Sequence, residues 1–263
     1  ALNTCADWIL QPGGSPANRP HVVNNSWGGG GCDTWYQAKV QAWRAAGIFP
    51  AFSAGNSGSG CNTLGSPGDY QESFASAAHD SSGNIASFSS RGPSCFGHDP
   101  YTKPNIASPG VNVCSSVPTN AWSCSYSGTS MASPHTAGAV ALLWSCNPAL
   151  IGQMDTTFQA LQNSAGTPPA GNCGAPPDGE GNYTYGYGYL DVLAAGNAWC
   201  GNVEFGYIDG HVYDAGTGNP IEGATVTASP GLNDSTIDAT TDPTGYYTMS
   251  VVPGTYNVTA SKT

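Results

Sequence analysis

SGTSMASPHTAG, residues 127–138, opens a helical pattern that runs on to Cys146 and is apolar nearly all round. Such a pattern belongs to a central helix rather than a surface one. Pro134 falls within its first turn and a half, where a missing N–H costs least. Ser130 sits at the mouth of this helix with small residues on both sides, so its hydroxyl is left accessible. The unpaired N–H groups and positive dipole end of a helix N-terminus favour a developing oxyanion. Ser130 therefore has the setting of a nucleophile, with a helix-capping serine as the plainer alternative. A nucleophilic serine needs a base, and the base has to be found.

Working outward, short apolar strands are expected at residues 21–25 (HVVNN), 48–53 (IFPAFS), 73–78 (SFASAA), 84–90 (NIASFSS) and 111–117 (VNVCSSV). Helical patterns fall at residues 2–10, from a cap at Asp33 through Ala46, at 154–163 and at 189–198. Helices alternating with fully apolar strands predict an α/β fold with a parallel sheet covered on both faces. In such sheets ligands bind outside the carboxyl ends of the strands. Two strand ends carry NNSWGG (24–29) and SAGNSG (53–58), and both are expected to meet GTSMASP (128–134) in one crevice. The Asn56 side-chain amide could donate to an oxyanion there, although GNSG is also ordinary turn chemistry. The SWGG backbone could pair with an extended peptide.

After Cys200 the texture changes to short Val-, Thr- and Tyr-rich strands with turns at 216–220, 243–245 and 253–254, and no cysteine. The expected domains are residues 1–200 and a small all-β sandwich at 201–263. Six basic against 17 acidic residues, a net charge of −11, exclude nucleic acid as a natural partner. No apolar run is long enough to span a membrane. Nine scattered cysteines without a C-x-x-C pair read as disulfides of a secreted protein. Cys114 with Cys124 and Cys32 with Cys61 are the expected pairs, then Cys173 with Cys200 or Cys146, leaving Cys5 free. Asn182, Asn233 and Asn257 stand in N-x-S/T sequons open to glycosylation, whereas Asn24, at a strand end in the crevice, is expected to be buried and bare.

Residues 2–199 resemble the subtilisin-like serine proteases, in order and across the whole segment. The resemblance is carried by GTSMASPHTAG (128–138), VVNNSWGG (22–29), SAGNSG (53–58), TLGSPGDY (63–70) and DSSGNIASFSSRGP (80–93). It implies a serine endopeptidase acting on polypeptides, with Ser130 as nucleophile and Asn56 in the oxyanion hole. It places Ser26, Trp27, Gly28, Ser53, Ala54 and Gly55 along the substrate channel and Gly65 near the floor of the primary specificity pocket. Residues 206–262 resemble the carboxypeptidase-regulatory-like β-sandwich. Hydrolysis by this scheme requires no cofactor. Members of the family often bind structural calcium, but no tight acidic cluster stands out, and DGEGN (178–182) reads as a solvated loop.

The family's Asp-Thr-Gly and His-Gly-Thr motifs are both missing. His135 lies about 140° around the helix from Ser130. His21 begins its strand, about 16 Å from the carboxyl end. His98 falls in a polar loop and His211 in the second domain. His79 follows a strand, where the resemblance puts a non-catalytic residue. The expectation is that an upstream part of the same precursor supplies the aspartate and histidine, and that these 263 residues alone have at most weak activity. The alternative is an inactive pseudoprotease with a structural or surface-assembly role.

Overall fold

The computed structural model describes residues 1–97, 101–201, 206–229, 236–251 and 255–262. His98, Asn233 and the turn at 253–254 lie outside the described residues. The chain divides into two compact units, Ala1–Gly201 and Asn202–Thr263.

The first unit is an α/β layer structure around a four-stranded sheet, all parallel, in the order β1 (Val22–Asn25), β2 (Phe49–Ser53), β3 (Phe74–His79), β4 (Ile106–Pro109). The sheet's interior strands are buried on both faces, which is why β2 shows no polar alternation. Alternate side chains still go to opposite sides. Phe49 and Ala51 face a core with Phe74, Ile106, Val140, Leu143, Trp144 and Phe158. Ile48 and Phe52 face another with Val40, Trp43 and Tyr70. The first core is closed by α3 (Thr129–Cys146), α4 (Met154–Asn163) and α5 (Val192–Trp199), the second by α1 (Leu2–Leu10) and α2 (Gln37–Ala45).

Several expectations need correction. α3 buries one face only: Ala132, Thr136, Val140 and Leu143 are inside, while Pro134, His135, Gly138, Ala141 and Leu142 are exposed. Asp33 does not cap α2; its Oδ1 accepts from the Trp35 N–H in a preceding turn, and the helix begins at Gln37. NIASFSS forms no strand, only a single bridge from Ile85 to His79. VNVCSSV becomes β5 (Val113–Val117), which pairs antiparallel with β6 (Ala121–Tyr126) in a separate hairpin rather than joining the parallel sheet. The fourth strand of the sheet is β4, which follows a fully buried Lys103. The Lys103 ammonium donates to the Ser73 carbonyl and, at 2.8 Å, to Asn105 Oδ1, tying β4 to the start of β3.

Cys114–Cys124 closes the hairpin as expected, and Cys5 is free. The remaining cysteines are partnered differently: Cys32 with Cys95, Cys61 with Cys173, and Cys146 with Cys200. Neither Cys32–Cys61 nor Cys173 with Cys200 or Cys146 forms. Each observed bridge instead joins segments 54 to 112 residues apart, which the crossover connections bring side by side.

The second unit has two small antiparallel sheets, β7 (Gly206–His211) with β10 (Tyr246–Val251), and β8 (Thr225–Ser229) between β9 (Ile237–Thr240) and β11 (Asn257–Ser261). Val226, Ala228, Met249 and Val251 form its apolar core, with Ile208 packed against them.

Candidate functional site

The carboxyl ends of β1 and β2 and the N-terminus of α3 meet around one cavity of about 340 Å³. Ser26, Trp27, Gly28, Ser53, Gly55, Asn56, Gly65 and Ser130 all line it. Ala54 does not. It is fully buried in a small cluster with Leu64 and Ala75, and its carbonyl accepts from Gly65 N–H at 3.0 Å, which holds Gly65 against the β2 end.

Local rules explain how Ser130 is held. Residue 134 is proline, so the helical bond to the Ser130 carbonyl is lost. Ser26 Oγ takes the acceptor instead, at 2.7 Å, and the Ser130 hydroxyl donates back to the Ser26 carbonyl at 3.2 Å. Asn24 fixes Ser26 in turn: its Nδ2 donates to Ser26 Oγ at 3.0 Å and its Oδ1 accepts from Ser133 Oγ at 2.7 Å. Asn24 is exposed, not buried as its sequon context suggested; the buried neighbour is Asn25.

Asn56 is oriented by a residue that sequence reasoning passed over. Its Oδ1 accepts from both the N–H and the hydroxyl of Thr129, each at 2.9 Å, which commits the amide oxygen and turns Nδ2 outward. Thr129 lies inside the motif quoted first, so its signal was position beside Ser130. Gly55 must be glycine, because its φ is +108° and a Cβ there would sit 2.7 Å from Ser90 Oγ. Gly128 leaves a space that a methyl would fill. A Cβ at that point would lie 3.6 Å from the Ser130 N and 3.7 Å from Asn56 Nδ2. The Ser130 backbone nitrogen and Asn56 Nδ2 therefore lie within 4 Å of one point, close enough for both to be candidates as donors to a single oxygen.

No histidine or aspartate hydrogen-bonds to Ser130 among the described residues. His135 shares a neighbouring cavity with Ser130 and Tyr126, yet its Nδ1 is engaged with the Met131 carbonyl at 2.8 Å. His79 ends β3, bonded to the Asp80 carbonyl and set edge-on to Tyr189. His21 packs against Trp144 at the other end of β1. Cys32, Asp69 and Cys95 bring potential metal-ligand atoms close together, but the two sulfurs are bonded to each other, which leaves one carboxylate and no chelating set.

Residues 3–189 match the subtilase family. The chain belongs to that family. Residues 207–263 match the carboxypeptidase regulatory-like domain. The subtilase segment is similar to bacillopeptidase F of Bacillus subtilis (strain 168), 46% identical over 156 residues that make up 55% of this chain and 10% of that protein. It is similar to subtilisin DY of Bacillus licheniformis, 40% identical over 152 residues, 57% of this chain and 50% of that protein. Among solved structures it resembles the prenylagaramide maturation protease PagA, with a TM-score of 0.58 and 25% identity over 76% of this chain and 69% of that one. The chain thus spans a tenth to a half of the length of these curated relatives.

Proposed function

We propose that these residues form the nucleophile and oxyanion-binding half of a secreted serine endopeptidase. Ser130 Oγ attacks the carbonyl carbon of a bound peptide while its proton passes to an imidazole. The carbonyl oxygen, now charged, is held by the Ser130 N–H and Asn56 Nδ2. Collapse releases the amine, which takes the proton from the imidazolium, and water resolves the ester. Ser26–Gly28, Ser53 and Gly55 flank the substrate backbone. The imidazole and its carboxylate partner come from chain outside these 263 residues, since the hydrogen bonds of Ser130 among the described residues go to Ser26 and to no histidine or aspartate. The edge of β1 away from β2 and the exposed apolar face of α3 are suited to receive that chain. By itself the 263-residue chain has at most weak activity.

The reading rests above all on the convergence of the Ser130 N–H and Asn56 Nδ2, with Thr129 locking the amide. Four disulfides support an oxidising, extracellular setting. No helix among the described residues is long and apolar enough to cross a membrane. Asn257, exposed on β11, is the sequon best placed for a glycan.

In the full-length protein, Asn56→Ala is expected to lower kcat for peptide hydrolysis by about 10²–10³ with little change in KM. That figure is carried over from the corresponding asparagine of subtilisin itself. Steady-state kinetics on one fluorogenic peptide checks it. An effect on KM alone would remove Asn56 from the transition state.

A further inference from the structure

A second cavity of about 340 Å³ adjoins the one at Ser130, and Gly29 and Ser57 line both. Residues 29–31 form one wall and residues 62–64 another, and Asp69 is the only lining residue with a formal charge. The Asp69 side chain is 1% exposed. Its Oδ2 accepts from the Cys32 N–H at 2.7 Å and from Ser66 Oγ at 2.9 Å. Its Oδ1 is buried and has no hydrogen-bond partner. A carboxylate oxygen buried without a donor is costly and calls for a reason. Burial raises the Asp69 pKa, against the hydrogen bonds and the charge of Lys103 that lower it, and the Lys103 ammonium spends its hydrogen bonds on Ser73 and Asn105 rather than on this carboxyl.

The segments around this carboxyl pack backbone against backbone, at glycines. A Cβ on Gly31 would lie 3.4 Å from Asp69 Oδ2 and 2.3 Å from the Leu64 carbonyl. A Cβ on Gly65 would lie 2.7 Å from the Gly29 carbonyl. The volume is at the small end for ligand sites, suited to one long side chain rather than a whole small molecule. What the cavity lacks is a cationic donor for Oδ1, and a guanidinium or ammonium group supplies one.

We propose that Asp69 is a specificity-determining residue: the cavity takes the side chain of the substrate residue on the N-terminal side of the scissile bond and selects arginine or lysine. This rests on the reading that Ser130 attacks a peptide carbonyl. The test uses the full-length protein and fluorogenic peptides that differ only at that residue. Arginine and lysine are expected to exceed leucine in kcat/KM by about tenfold or more, and Asp69→Asn to lower the arginine-to-leucine ratio about 100-fold. A preference for leucine, or a ratio unchanged by Asp69→Asn, overturns the proposal. If Asp69→Asn fails to fold, Gly30→Val serves instead, since nothing lies within 4 Å of a Cβ there and the added side chain narrows the cavity. It should lower the same ratio about tenfold, and an unchanged ratio again overturns the proposal. Fluorescence titration with p-aminobenzamidine reads the cavity without turnover, and so separates this proposal from the catalytic reading. Saturable binding that weakens about 100-fold in Asp69→Asn supports the assignment, and no binding to the wild-type protein overturns it whatever the activity.

Discussion

Replacing Ser130 with alanine in the full-length protein is expected to lower kcat for peptide hydrolysis about 10⁶-fold, a magnitude carried over from subtilisin's own nucleophile. That corresponds to about 8 kcal/mol of activation free energy. The loss should fall on kcat rather than KM, since the Ser130 carbonyl, which Ser26 Oγ holds, and the helix N-terminus remain in place. The proposed oxyanion donors also survive: Thr129 continues to fix Asn56, and alanine keeps the N–H of residue 130. A small residual rate above the uncatalysed one is therefore expected from the variant. A fall of only a few-fold would mean that another group attacks the substrate.

The largest effect on stability is expected from Lys103→Met. The ammonium is fully buried and tethers the Ser73 carbonyl to Asn105 Oδ1, which also accepts from the Ala75 N–H. Methionine fills similar volume but donates nothing, so near pH 10, where deprotonating the amine costs little, the variant should lose about 2–4 kcal/mol. Burial pushes the Lys103 pKa down to about 7, with the positive Arg44 adding to the effect and Asp69 and Glu72 opposing it. In the unfolded chain a lysine titrates near about 10.4. Between these two values the unfolded state holds a proton that the folded state has lost, so stability from this group rises with pH across the window. Below it the charge is buried at full cost. The gap between wild type and Lys103→Met should therefore widen from pH 7 to pH 10 in denaturant titrations. A gap that stays flat over this range would show that Lys103 stays charged throughout.

The elements visible in the sequence were those fixed by local pattern. α3 and α4 could be read to the residue because turn residues punctuate their ends, Gly128 and Pro148 around α3 and Gly152 and Gly166 around α4. The crevice was legible because parallel sheets place loops at strand carboxyl ends, which brings residues 26–28, 53, 55, 56 and 130 together whatever the intervening chain. β4 was missed because four residues ending in proline, after a Lys-Pro-Asn stretch, look like a loop until β3 pairs with them. The pairings of Cys32 and Cys61 were misjudged because each depends on crossover geometry rather than on nearness to a motif. The family resemblance places Ala54 in the channel with its neighbours Ser53 and Gly55, yet its side chain is buried against Leu64 and Ala75. Asp69 carried no signal as a site residue, since its place beside a cavity depends on residues 29–31 folding against 62–64.

Covalent labelling reads directly the proposed role of Ser130 as an activated nucleophile beside an oxyanion site. The full-length protein is treated with diisopropyl fluorophosphate, and the adduct is located by peptide mass mapping. A single adduct on Ser130 is expected, absent from Ser130→Ala and formed more slowly in Asn56→Ala. A folded full-length protein that takes no label, or takes it on a different serine while still cleaving peptides, would contradict the account.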